Sequence, residues 1–322
     1  MQEFGFEVSL CAQLEDEECV VARQLGAHVH GRRIVDTVVL EPGPNFQART
    51  AITAEAIPDA LVKSDIGPGR ARYVGDVLGD VHPERRADLI EAGVDSGFLR
   101  TERRRGRRYV RQTARYPQRW FDRLVGIENK PDLDRPGDLY SQLQTDVSLG
   151  IFDEVVLATA DYVTGAHRNR IPQQVGIWRF DPDSGEREIV REATPLTPDS
   201  PGVEIIAERP GQTEVEIVDS TEKERARRRL AERAYGKGWR TFEWPACGRC
   251  DPEGDPADAS VPYCQWAERV VDAVTTCGPD CSGFQAGEVP EVDEAAERAA
   301  RSAWVADPDG GPRRQSGLDR FS

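Results

Sequence analysis

Apolar and polar positions along the chain switch between helical and strand periods in a definite order. Phe4, Val8, Cys11 and Leu14 recur at three- and four-residue spacing and predict a helix over residues 2–18. Residues 19–26, CVVARQLG, read as a short strand. The run RRIVDTVVLEPG puts Ile34, Val35, Val38, Val39 and Leu40 on both faces of a strand over residues 33–41, as a central strand covered on both sides requires. Leu124, Val125 and Ile127 predict a strand through residue 130. Leu139, Leu143 and Val147 then stripe a helix that Gly137 and Asp138 open and Gly150 ends. Residues 154–159 and 175–180 are apolar strands again. Strand, helix, strand implies a parallel crossover. The expected fold class is α/β, a mixed central sheet flanked by helices.

The α/β pattern is interrupted and then extended. Between residues 45 and 120 the period changes: an amphipathic helix over 82–96, with Leu89, Ile90, Ala92 and Val94 near its apolar side, precedes two short strands around Arg105-Gly106. A helix followed by a hairpin with a basic tip is a winged-helix pattern. Residues 181–220 are rich in proline and acids, with β-like runs VEIIAE and TEVEIV. Thr221 and Glu224 form a candidate capping box for an Arg-rich helix over 222–235. The domains expected are a core of 1–44 plus 121–180, an insertion over 45–120, and a β-rich and helical extension with a Cys-rich module over 181–284. An acidic tail over 285–322, disordered apart from a short helix near 292–304, completes the chain.

Charge changes the picture of the surface. The 322 residues carry a formal net charge of -15, and of 42 basic residues only Lys63, Lys130, Lys223 and Lys237 are lysines. An acidic, arginine-for-lysine surface suits concentrated salt, where the Debye length falls to about 3 Å at 1 M. Against that background, residues 100–111 hold seven Arg and one Glu. Arg103, Arg104, Arg105, Arg107 and Arg108 at the hairpin tip are therefore candidate phosphate contacts, and DNA is the expected partner. The alternative is a solvated hairpin balanced by acidic neighbours. No apolar run reaches the ~20 residues of a membrane span, and MQEFGFEVSL lacks the basic start of a secretory leader, so a cytoplasmic protein is expected.

Candidate chemistry falls on the same elements. Glu7 lies on the apolar side of the first helix, as a site acid or as a boundary residue reaching solvent. Asp36 sits mid-strand, with a metal or a pair with Arg32 or Arg33 as its reason. Glu128 and Lys130, two apart on one strand, share a face. Where arginine is the default, Lys130 offers the compact charge arginine lacks. His28 and His30, spaced to share a strand face, are a weaker metal pair. Cys247 and Cys250, then Cys277 and Cys281 after 26 intervening residues, give two short-spaced thiol pairs, with Cys264 able to replace one ligand. Such pairs hold zinc or an iron–sulfur cluster; free buried cysteines are the plain alternative.

The order helix with Glu7, strand, strand with Asp36, strand with Glu128-x-Lys130, helix, strand resembles the PD-(D/E)xK, restriction-endonuclease-like nucleases over residues 2–44 and 121–160. The whole chain is also similar to a family of haloarchaeal proteins. The nuclease resemblance implies Mg²⁺ or Mn²⁺ held by Asp36, Glu128 and the carbonyl of Asn129, Lys130 as the catalytic lysine, and Glu7 as an optional helix acid. The Gln and Tyr of RecB-like members match poorly, since Tyr140 precedes Gln142 and Gln144. Two further readings stay open: a non-catalytic winged-helix DNA-binding protein on the same fold, and a metal-stapled adaptor that binds no nucleic acid. Oligomeric state is not legible.

Overall fold

The computed structural model describes residues 3–31, 33–254 and 258–308, and the chain divides into two compact units. The first is discontinuous, residues 1–43 and 121–304; the second is 44–120 with residues 305–322. Arg32, one of the two arginines considered for Asp36, lies outside the described residues, as does the end of the expected disordered tail, 309–322.

A six-stranded mixed sheet organises the first unit. Its strands run, in spatial order, Val20–Gly26, Ile34–Pro42, Phe121–Asn129, Glu154–Thr159, Gly176–Asp181 and Glu186–Arg191. The first three pair antiparallel, the next two join in parallel, and the last returns antiparallel. The helix Leu139–Leu149 makes the parallel crossover between the third and fourth strands. The helix Glu3–Glu15 packs one face through Phe6, Val8, Leu10, Cys11 and Leu14, against Val21, Val39, Val125, Ile127 and Val156. The alternate residues Val38, Leu40, Leu124 and Leu157 are buried too. Helices Leu139–Leu149 and Ser220–Lys237 contact these strands and account for that second covered face.

Particular residues shape this packing. Gly126 is glycine because Phe152 occupies its space: a Cβ there would meet the ring at 2.8 Å. The buried stripe of the crossover helix runs through Leu139, Leu143, Asp146 and Leu149, with Val147 only half-buried, so an acid stands where the spacing suggested valine. The helix Ser220–Lys237 starts earlier than its sequence suggests. Its N-cap is Asp219, whose carboxylate accepts from Glu222 N while Glu222 accepts from Asp219 N. That capping box displaces the one expected at Thr221 and Glu224, because Asp219 is the residue with extended backbone at the helix entry.

Beyond the sheet, Gly202–Arg209 and Gln212–Val218 form a separate hairpin. Two-residue strands at Cys250–Asp251, Tyr263–Cys264 and Arg269–Val270 make a small sheet, and the short helix Glu294–Arg301 follows. In the second unit, strand Arg72–Tyr73 pairs with Arg107–Gln112, which pairs with Leu99–Arg104. Helices Phe46–Thr50, Asp59–Lys63, Val74–Val77 and Pro83–Asp95 surround them. No helix among the described residues is long and apolar enough to cross a membrane.

Candidate functional site

Antiparallel register brings Asp36 and Glu128 together. Thr37 pairs with Ile127, so the next residues outward, Asp36 and Glu128, stand opposite each other on adjacent strands. Asp36 Oδ2 accepts from the backbone N–H of Asn129 at 2.9 Å. Glu128 Oε2 accepts from Arg33 Nη2 at 2.5 Å, and the same nitrogen donates to Asp146 Oδ2 at 3.0 Å. Arg33 thus answers two buried acids at once, and Asp36, its expected partner, receives only its field. Lys130 Nζ lies 3.8 Å from Glu3 Oε1. Asn129, which is buried, donates through Nδ2 to Thr37 Oγ1 at 3.0 Å and leaves Oδ1 unpartnered.

Burial disfavours the charged form of these carboxylates. Burial pushes Asp36 up to about 6, and Glu7 adds to the rise against the Asn129 hydrogen bond and Arg33. Burial and the Asp36 charge push Glu128 up to about 8 although Arg33 pulls the other way. Asp146 is also raised, by burial. Two neighbouring carboxylates in low dielectric favour sharing a proton or taking up a cation.

Glu7 is buried as a member of an ion pair. Arg23 donates to it through Nε at 3.0 Å and Nη2 at 3.3 Å. Gln24 links it to Asp36, donating from Nε2 to Glu7 Oε1 at 3.0 Å and to Asp36 Oδ1 at 3.4 Å. Gln24 does so from a left-handed backbone, φ 55°, a strained conformation for a side chain. Lys237 Nζ steadies that segment by donating to the carbonyls of Arg23 and Gln24, both at 2.8 Å.

The two histidines do not share a strand face: they lie in the loop between the first two strands. His28 Nδ1 shares a hydrogen with Glu204 Oε1 at 2.5 Å, while His30 Nε2 lies 3.7 Å from Glu216. Burial works to raise the Glu204 carboxyl, but the N–H groups of Gly31 and His30 and the His28 ring outweigh it and hold it low. Glu204 thereby pins the loop that delivers Arg33.

The hairpin arginines Arg103, Arg104, Arg105, Arg107 and Arg108 are all exposed. Arg105 and Gly106, at φ 50° and 79°, form the two-residue turn. Arg104 stacks on Tyr109 and Arg107 on Tyr73, the two rings 5.9 Å apart. Cys247, Cys264, Cys277 and Cys281 line one cavity of about 50 Å³. Cys250 pairs with Cys264 across two strands. Burial, then the neighbouring thiolates, pushes Cys250 up to about 12 and also raises Cys277. Cys11 stays apart in the core, within reach of Thr37 Oγ1. Among the described residues, no three His, Cys, Asp or Glu side chains stand in closed metal-binding geometry.

Gln24, Arg33 and Asp146 were not singled out as site residues. Asp146 had a signal, an acid seven residues after Leu139 on the buried stripe. The left-handed Gln24 had none, because nothing in VARQLG marks a strained residue.

No curated protein and no solved structure matches the chain. One family model does, over residues 20–286: the Family of unknown function (DUF5787). That match spans the whole acid-bearing sheet, the basic hairpin and all but two of the cysteines, and the chain belongs to this family.

Proposed function

We propose that the protein is a metal-dependent DNA nuclease of the PD-(D/E)xK kind, with Asp36 and Glu128 as ligands for Mg²⁺ or Mn²⁺ and Lys130 as the catalytic lysine. The observation that carries this reading is the Asp36–Glu128 pair: two adjacent carboxylates, Glu128 buried and Asp36 half-buried, both shifted upward, with Lys130 just past the end of the Glu128 strand. Hard oxygen donors of this type fit Mg²⁺, with the Asn129 carbonyl as the further ligand the resemblance implies. The order helix, three antiparallel strands, helix, parallel strand supports it as well. When bound, the ion would supply charge to activate water and neutralise the scissile phosphate. Lys130 would present its ammonium to the phosphate oxygens. Arg33 would release Glu128 and stay with Asp146.

The second unit would hold the duplex. Its order of two helices, a strand, two helices and two strands with a basic turn supports the winged-helix reading. The helix Pro83–Asp95 exposes four acids, Glu84, Asp88, Glu91 and Asp95, against one exposed base, Arg85, and Arg86 turns back to the carbonyls of Gly79 and Val81. Phosphate contact therefore falls to the hairpin. One observation favours the second reading, a non-catalytic DNA-binding protein: Arg33 already neutralises Glu128 and Asp146.

The test is divalent-dependent cleavage in concentrated KCl, on linear, circular, single-stranded and branched DNA, with Lys130→Ala and Asp36→Ala beside the parent. Cleavage abolished in both folded variants is expected. No cleavage by the parent, with DNA binding that collapses when Arg103, Arg104, Arg105, Arg107 and Arg108 become Gln, would transfer the function to the hairpin.

A further inference from the structure

The Cys-rich segment takes no part in the nuclease reading, and its construction calls for a separate explanation. Among the described residues between Cys247 and Cys281 regular structure is scarce: three two-residue strands and the one-turn helix Ala273–Thr276. Ala259, Val261 and Val270 dock this segment on the sheet core, and Cys247, Cys264, Cys277 and Cys281 line one cavity beside it. All seven cysteines are free.

Three local features bring the sulfurs together. Cys250 N donates to Cys247 O at 3.0 Å, folding the C-x-x-C pair into a tight turn. Strand pairing sets Cys250 opposite Cys264. The helix Ala273–Thr276 ends on Cys277, whose N–H bonds Ala273 O and which reaches the cavity already lined by Cys247 and Cys264. Cys281, one turn beyond Gly278, also lines the cavity and neighbours Cys277, but the thiols that act on Cys250 are Cys277, Cys247 and Cys264. Trp266 covers this side, packed so close to Gly283 that a Cβ there would meet the indole at 2.2 Å.

We propose that Cys247, Cys250, Cys264 and Cys277 hold a single zinc ion as a structural staple, with Cys281 outside the ligand set. Four thiolates about 2.3 Å from a tetrahedral ion suit a closed structural site with no open position for chemistry. The cavity, about 50 Å³ and lined by Cys247, Cys264 and Cys277 of the set, has room for one ion, and strand pairing sets Cys250 beside Cys264. A segment with so little core of its own gains its order from such a clip. The sulfurs draw inward onto the ion, and each ligand thiol gives up its proton on binding.

The experiment uses the full chain purified without added metal. Zinc per chain is measured by plasma mass spectrometry, and Co²⁺ is exchanged in to read the tetrahedral thiolate spectrum. Zinc near one per chain is expected, with loss in each of Cys247→Ser, Cys250→Ser, Cys264→Ser and Cys277→Ser and retention in Cys281→Ser. Where a variant fails to fold, thiol labelling of the parent decides instead: four cysteines become newly reactive after chelation under native conditions. Bound iron with a cluster absorbance, zinc retained in folded Cys250→Ser, or no metal and no chelator-dependent labelling each overturns the assignment. None of these readouts depends on DNA cleavage.

Discussion

Asp36→Asn should make the protein more stable at pH 8. In the folded chain the Asp36 carboxyl titrates at about 6, against an ordinary 3.8. A carboxyl raised on folding takes up a proton that the unfolded chain does not hold. Its stabilising contribution is complete below pH 4 and is lost as pH rises through 6. At about 1.4 kcal/mol per pH unit, the buried charge costs the parent about 3 kcal/mol at pH 8. Asparagine removes that cost and keeps an oxygen to accept from Asn129 N. It also lifts the repulsion on Glu128, whose own titration should fall from about 8. Urea denaturation in concentrated KCl at pH 4, 6 and 8 measures the effect; salt screens a buried pair weakly. The variant should gain with rising pH and the two curves should meet near pH 4. Mg²⁺ should raise the midpoint of the parent at pH 8 and leave Asp36→Asn unmoved. A variant less stable than the parent at pH 8, or a parent curve flat from pH 4 to 8, would refute the reasoning.

Two further substitutions test the scaffold. Gly126→Ala should cost about 1–3 kcal/mol by driving a methyl into the Phe152 ring, and adding Phe152→Leu should recover part of the loss in the same denaturation assay. Asp219→Ala should cost about 1 kcal/mol by removing the cap of the helix Ser220–Lys237, whereas Thr221→Ala should change little; the reverse order would restore the cap to Thr221.

The fold class was legible because the sheet is built from strands with strong, simple patterns. Val35, Val38, Val39 and Leu40 are buried as the two-sided run requires, and Arg105-Gly106 turns the hairpin where its flanking arginines placed it. Ion pairs were not legible, since they depend on which chain segments meet. Arg33 stands just before the strand that carries Asp36, yet it reaches Glu128, 95 residues away, from a loop whose His30 and Gly31 N–H groups bond Glu204. The lysine argument met a similar limit. Lys223, which is buried, donates to Thr197 O, and Lys237 donates to two carbonyls. In both places a narrow ammonium fills a backbone pocket, so rarity marks a need for shape as readily as a need for catalysis.

The insertion of residues 44–120 into the sheet sets an order of events during synthesis. The strand Ile34–Pro42 leaves the ribosome with only Val20–Gly26 to pair with, and its central neighbour Phe121–Asn129 follows 78 residues later. At about 5–20 residues per second that is a wait of roughly 4–16 s with an unpaired strand edge. Residues 44–120 can fold in the interval, and Asn45 N bonding Arg119 O draws the two ends of that segment together. The nascent chain then arrives with Phe121 delivered beside Pro42, and the acid pair is assembled only when this late strand zips home.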